Sequence, residues 1–213
     1  MNTIKNRNDV YTVKSLDDLA EIYAKPLPNI ATKESDHITE VGRAFIAASP
    51  FLVLATSNGT SIDCSPKGDA PGFVHVLDDH HLVIPDRPGN KRFDGISNIL
   101  ENPHVGLIFL VPRYEETLRV NGRATVTRDP DLLARMDVGG RRPLFAIGVE
   151  VEEVFMHCAK AFKRSGLWQP ERWPDISAMA PAACVLFDMA KPTDKTVADI
   201  EKGLDFAYAK TLY

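Results

Sequence analysis

The sequence predicts a mainly β protein, an antiparallel sheet closed on itself with helical extensions at both ends. Three observations predict it. About seven short apolar or alternating runs follow one another from Phe51 onward, each of strand length. Turn signals such as Asn58-Gly59 and Asp78-Asp79 join neighbouring runs too closely for parallel crossovers. Few helical patterns interrupt them.

Before the strands, Ser15 followed by Asp17 and Asp18 is a helix start, with acids in the first turn. Leu16, Leu19, Ile22 and Tyr23 then share a stripe, and Pro26 and Pro28 end the helix. A second helix is expected from Ser35 or Asp36, burying Ile38, Val41, Phe45 and Ile46 and stopping before Pro50. FLVLATS and SIDCSP form the first hairpin around Asn58-Gly59, and FVHVL and HHLVIP the second around Asp78-Asp79. The polar loop DRPGNKR leads into the helix FDGISNILEN, which Pro103 stops. VGLIFLV and TLRVNGRATVT are the next strands, a short helix lies near DPDLLARM, and FAIGVEVEEVFM is the last strand. In it Ile147, Val149 and Val151 alternate with Gly148, Glu150 and Glu152, the period of a half-buried strand. The apolar residues of AACVLF and the helix TVADIEKGLDFAYAKTLY follow. Its stripe of Val197, Ile200, Leu204, Ala207 and Tyr208 is expected to cover the body or a partner. This organisation implies an arm (1–35), a sheet domain (36–175) and a tail (176–213).

In 213 residues, 44% hydrophobic and 25% charged, there is material for a real core. A net charge of -4 argues against a protein built to coat nucleic acid. The polar start MNTIKNRNDVYTV has no apolar segment of the signal-peptide kind, and VGLIFLV is far short of the roughly 20 residues of a membrane helix. Cys64, Cys158 and Cys184 are odd in number and widely spaced, as free thiols in a reducing compartment would be. A cytoplasmic protein without membrane association is the expectation. No metal site is expected, because the adjacent His157 and Cys158 point to opposite faces of a continued strand. The same adjacency gives Cys158 no base to activate it as a nucleophile.

The most informative stretch is Pro85 to Arg92, PDRPGNKR, which sets Arg87, Lys91 and Arg92 ahead of a helix start. Unpaired N–H groups and the positive end of the helix dipole make such a loop a phosphate receptor, with Asn90 as a further donor. Each charge-assisted hydrogen bond contributes roughly 1.5–3 kcal/mol. Two or three would supply much of the roughly 8 kcal/mol of a micromolar ligand. A solvated basic loop explains the same composition. Lys67, in SPKGDAPG, lies where Gly and Pro suit either a surface turn or a close approach to a flat ligand. Lys160, Lys163, Arg164 and Trp168, in HCAKAFKRSGLW, read equally as a basic helix start with a core aromatic.

Taken together, CSPKGDAPGFVHVLDDHHLVIPDRPGNKRFDGISNILENPHVGLIFLVP resembles the FMN-binding core of pyridoxamine 5'-phosphate oxidase-like proteins. The shared order is a Ser-Pro strand end, a hairpin, a basic loop and a helix ending in Asn-Pro. ETLRVNGRATV and HCAKAFKRSGLW extend the likeness to an uncharacterised subgroup of that family, over about two-thirds of the chain from Ile38 to Trp173. The resemblance implies a split β-barrel, usually a homodimer with two FMN sites at the subunit interface. It implies that Asn90, Lys91 and Arg92 hold the FMN phosphate, with Lys67 reaching in from the neighbouring strand. Backbone at Ser65, Pro66, Ile84 and Pro85 would line the isoalloxazine. Thr117 falls where the family has a polar strand residue near the cofactor, and Arg119 is close by. Lys160, Ser165 and Trp168 would come from the partner subunit.

The chain departs from the family's pattern in two places. Its basic loop is longer than that of the true oxidase, which leaves open which of Arg87, Lys91 and Arg92 meet the phosphate. After Trp168 there is no His, and Arg172 is the only basic residue before Lys191. The true oxidase grips its substrate there with an Arg and a His, so its activity is not implied. The leading expectation is an FMN-dependent oxidoreductase passing a hydride between flavin N5 and a small planar substrate. Lys160 or Arg164 would supply positive charge at the N1–C2=O edge, and no catalytic acid or base is named. The alternatives are a flavin carrier or sensor without turnover, or a barrel holding a deazaflavin or haem. No histidine stands out as a haem ligand, since His75, His80, His81, His104 and His157 all read as strand-edge residues.

Overall fold

The structure, a computed structural model, describes residues 12–23 and 33–213. They fall into two compact units, the first ending at Glu34 and the second spanning Ser35–Tyr213. In the first, helix α1 (Leu16–Ile22) begins at a capping box in which Ser15 and Asp18 satisfy each other's backbone N–H groups. It ends on Tyr23; Pro26 and Pro28 lie outside the described residues.

The second unit opens with α2 (Glu40–Ala48), capped by Thr39, whose hydroxyl accepts from the Gly42 N–H. The start lies several residues later than Ser35 or Asp36, the expected positions. Ser35 instead bridges Val154 through two backbone hydrogen bonds, which fixes it as strand-like and forbids a helix there. Ile38 and Ile46 are buried as expected, but Val41 is 73% exposed, because the buried stripe of the helix runs through Gly42 and Ile46.

Seven strands follow: β1 (Phe51–Ser57), β2 (Ile62–Gly68), β3 (His75–Val76), β4 (His81–Pro85), β5 (His104–Leu110), β6 (Thr117–Thr127) and β7 (Ala146–His157). They form one antiparallel sheet in the order β2-β1-β5-β6-β7-β4-β3. Alternation sorts the faces. Leu52 and Leu54 of β1, Leu107 and Phe109 of β5, Leu118 and Val120 of β6 and Ile147 and Val149 of β7 meet in one core. Val83 points the other way, into a smaller cluster with Met136 and Ala146 covered by α4 (Pro130–Arg135). Mid-sheet, β7 carries one extra residue, Glu152, between the Asn121–Glu153 and Gly122–Val151 pairs. Gly122 permits that bulge, since a Cβ there would lie 2.1 Å from the Glu150 carbonyl oxygen. The bulge restores Val154 to the buried face and bends the sheet as a barrel wall requires.

The barrel is split between β2 and the β4 end of the sheet. Beyond Val83, β4 has no strand partner on its outer side among the described residues, because β3 pairs only with Leu82 and Val83. Helix α3 (Asp94–Glu101) closes part of the gap. Its Asn98 amide donates to Thr56 Oγ1 at 3.1 Å, and Asn102 donates to the Ser57 carbonyl at 2.7 Å. Buried side-chain hydrogen bonds thus orient the helix against β1 and β2. The expected mainly β, antiparallel split-barrel class is the one observed. At the other end, α5 (Lys160–Ser165), a 3₁₀ turn (Pro170–Arg172), α6 (Ala182–Ala190) and α7 (Val197–Lys210) follow the last strand. Helix α7 packs on α6 and buries no residue fully.

Candidate functional site

A cavity of about 560 Å³ occupies the split. One wall is β2, whose inward residues Asp63, Ser65 and Lys67 face it while Cys64 and Pro66 point outward. A second wall is the loop from Asp86 to Phe93 with the first turn of α3. The third runs from Arg142 to Phe145 and adds Leu144, 83% exposed at the mouth. Leu54 and Ile147, from the core, form the apolar floor.

The loop has an unusual backbone. Lys91 (φ 59°) and Phe93 (φ 58°) are both left-handed, costly for side chains of their size. Phe93 caps α3 without any side-chain hydrogen bond. The leading N–H groups of the helix are therefore left without a side-chain acceptor, beside Asp94, Gly95 and Ile96 of the cavity lining. The Asn90 carboxamide oxygen accepts from the Arg92 N–H at 3.1 Å, which tightens the turn between them. A Cβ at Gly95 would sit 2.9 Å from Asp63 Oδ2, so the helix starts close against β2 and a larger residue there would push the Asp63 carboxylate aside.

The electrostatics are mixed but net positive. Lys67, Arg87, Lys91, Arg92 and Arg142 line the cavity against Asp63, Asp86 and Asp94, in a chain that is acidic as a whole. Some of these charges are committed. Arg87 Nε donates to Asp69 Oδ2 at 2.6 Å and its Nη1 donates to the Met136 carbonyl at 3.0 Å. Arg92 Nε donates to Asp94 Oδ2 at 2.6 Å, on the exposed side of the loop. Arg142 pairs with Asp137 at 3.5 Å, a long and mostly exposed contact. On β2 the Ser65 hydroxyl donates to Asp63 Oδ2.

Of the residues singled out from sequence, Ser65, Lys67, Asn90, Lys91 and Arg92 line this one cavity. Ile84 is wholly buried in the core, and Pro85 pairs with Ala146; both lie on the unpartnered edge of β4 beside the loop. Pro66 lies on the outer face of β2, in register through Val53 and Ile108 with Arg119. Arg119 stacks over the Phe155 ring, 5.1 Å from its centroid, and its buried Nε has no hydrogen-bond partner among the described residues. Thr117 begins β6, opposite His157. Lys160, Ser165 and Trp168 line no wall of this chain's cavity. The Ser165 hydroxyl donates to the Phe162 carbonyl and Trp168 Nε1 donates to the Tyr114 carbonyl. Sequence reasoning missed Asp63, Phe93, Arg142 and Leu144. The strand alternation that put Ser65 and Lys67 on one face also puts Asp63 there, so that signal was present. Nothing local announced the loop of Arg142, which tertiary packing alone brings across the split.

No curated protein matches the sequence. Among solved structures, HupZ of Group A Streptococcus is 18% identical, covering 56% of this chain and 93% of its own, with a TM-score of 0.46. An FMN-binding protein of Syntrophomonas wolfei subsp. wolfei is 12% identical over 55% of this chain and 83% of its own, TM-score 0.44. General Stress Protein 26 of Bacillus anthracis is 16% identical over 53% and 88%, TM-score 0.42. A family model described as Pyridoxamine 5'-phosphate oxidase matches residues 38–158. That span is more than half of the chain and runs from the residue before Thr39 through the end of the sheet, so the chain belongs to the pyridoxamine 5'-phosphate oxidase-like family.

Proposed function

We propose that the protein is an FMN-dependent oxidoreductase that acts as a homodimer in the cytoplasm, with 36–175 as its flavin-binding domain. The observation that carries this reading is the cavity in the split, cationic at its loop end and apolar at its floor. A flavin nucleotide has the matching polarity, a dianionic phosphate on one end and an aromatic ring system on the other. Two features of the cavity fit that group. The left-handed Lys91 and Phe93 lead into an α3 start whose first N–H groups have no side-chain acceptor, the kind of helix end that receives a phosphate. Lys91, which makes no ion pair among the described residues, and Lys67 and Arg92, whose carboxylate partners a phosphate can displace, put positive charge at the loop end.

In this reading Lys91 and Arg92 hold the phosphate with the Asn90 turn, and Lys67 approaches from β2. On the open edge of β4, Pro85 offers a backbone carbonyl to the ring, while the Ile84 backbone is turned toward β7. When bound, FMN supplies hydride exchange with a planar substrate. The chain's own residues bind, orient and exclude water. The outer face of β1, β2 and β5 supports the dimer, since Phe51 and Ile108 are each 38% exposed and Ile62 is 79% exposed on it. Thr117, Lys160, Ser165 and Trp168 would act on the partner's cofactor. The three cysteines are free, in keeping with a reducing compartment, and no described helix is long and apolar enough to cross a membrane.

A visible absorption spectrum of the purified protein, followed by FMN titration, tests the cofactor. A colourless protein that takes up no FMN refutes the reading. Stopped-flow mixing with NADH and NADPH tests turnover, and only slow, unselective reduction would leave a carrier.

A further inference from the structure

We propose that Tyr213 is a positioning residue for the phosphate end of this cavity, strapping the stretch after α7 onto the three segments that build it. The inference rests on the FMN reading above. Tyr213 makes three contacts. Its hydroxyl donates to Asp69 Oδ1 at 2.6 Å, the Arg87 guanidinium lies over its ring at 5.4 Å, and Arg141 Nη1 donates to its carbonyl oxygen at 2.6 Å. Asp69 directly follows β2, the strand of Ser65 and Lys67. Arg87 follows β4, within the basic loop. Arg141 directly precedes Arg142, on the third wall. One residue therefore contacts a neighbour of each of the three walls, adding to the direct Lys67–Asp86 pair between β2 and the loop.

The junction is enclosed where it matters. The Asp69 side chain is 2% exposed and that of Arg87 14%. Both Asp69 oxygens are used: Oδ1 accepts from Tyr213 and from the Ala70 N–H, and Oδ2 accepts from Arg87. With Nε on Asp69 and Nη1 on the Met136 carbonyl, Arg87 is a bolt for the loop rather than a ligand for phosphate. The phosphate contacts fall to Lys91 and Arg92, which the bolt holds at the far end of the same loop. Their left-handed turn is the costly part, and a loop held at its root is one way to maintain it.

The test compares FMN with riboflavin, which lacks the phosphate, on the full chain. Tyr213→Ala removes both hydroxyl and ring, while Tyr213→Phe removes only the bond to Asp69. The expected result is a loss of the preference for FMN over riboflavin, about tenfold in Tyr213→Ala and about threefold in Tyr213→Phe. Riboflavin binding itself stays unchanged, which a general loss of folding would not allow. An unchanged FMN-to-riboflavin preference in both variants overturns the proposal, as does equal weakening of both ligands in Tyr213→Phe. Hydrogen exchange of residues 86–92 without ligand separates this idea from the cofactor reading. If the unaltered protein takes up no flavin, the cofactor reading falls. The strap then stands on faster exchange in Tyr213→Ala and falls on unchanged exchange.

Discussion

Lys67 and Asp86 join the two edges of the split: Nζ of one lies 3.2 Å from Oδ1 of the other, and each side chain is 21% exposed. Lys67 projects from β2, the first strand in the sheet order, and Asp86 follows β4, the last but one. The pair closes the barrel at the cavity and occupies the cation that a phosphate would want. Anion binding must therefore compete with Asp86. Asp86→Asn is expected to tighten FMN binding about threefold and Lys67→Met to weaken it about tenfold, read by flavin fluorescence quenching. Weaker binding in Asp86→Asn would show that the pair serves shape rather than charge.

Lys91 and Arg92 carry the largest expected effect on affinity. Each alanine substitution removes one charge-assisted contact of roughly 1.5–3 kcal/mol, a loss of about ten- to a hundredfold in FMN affinity. Because the loop is exposed, the effect shrinks as salt rises toward physiological strength and beyond. Titration at two salt concentrations checks both parts. Arg87→Ala should instead lower thermal stability, since its partners Asp69 and Met136 are structural.

Most of the sheet was legible in the sequence, because the apolar alternation of β1, β5, β6 and β7 leaves only one face to bury. The basic loop was legible as a cluster, since Arg87, Lys91 and Arg92 lie close together in sequence, and the structure places all three on the cavity. Two kinds of information were not. The helix start at Thr39 depends on the Ser35–Val154 bridge, a contact between residues far apart in the chain that no local pattern encodes. The wall of Arg142 and the docking of Tyr213 are likewise products of how the barrel closes. What looked like a plain amphipathic tail ends on the site, and the buried acceptor that receives it, Asp69, looked like an ordinary turn residue.

Acid should weaken the fold through Asp69 first among the enclosed carboxylates. Burial pushes its pKa up, but the Tyr213 hydroxyl, the Ala70 N–H and Arg87 outweigh it and hold the carboxyl below the ordinary range. A carboxyl depressed in the folded state adds stability above its unfolded value of about 3.9, lost as pH falls through the lower folded value. His75 acts at higher pH. Burial, with Arg135 and Arg87 nearby, depresses its pKa, so it stays neutral in the fold and opposes protonation below about 6.5. Melting temperatures should fall in two stages on acidification. Asp69→Asn should remove the lower stage and His75→Gln the upper.

Gly122 tests the bulge that shapes the barrel. A Cβ there meets the Glu150 carbonyl oxygen at 2.1 Å and the Val151 Cα at 3.1 Å, both backbone atoms that cannot swing aside. Gly122→Ala must therefore separate β6 from β7 in the middle of the sheet. A loss of about 2–4 kcal/mol is expected, measured by urea denaturation. Gly203, exposed on α7 with nothing within 4 Å of where a Cβ would sit, is the control, and Gly203→Ala should stabilise the helix slightly.

The outer face of the sheet tests the dimer. Ile108 lies on that face between Val53 of β1 and Arg119 of β6, 38% exposed among apolar neighbours. If the proposed homodimer forms through this face, Ile108→Asp would place a charge in its interface, next to Arg119. Within one subunit the new carboxylate has water and a neighbouring guanidinium, so folding should survive. Between subunits it must be desolvated, at a cost of several kcal/mol. Light scattering should report a folded monomer, and FMN should be lost with the partner that completes its pocket. A monomeric Ile108→Asp protein that binds FMN as tightly as the unaltered chain would show that each subunit holds its flavin alone.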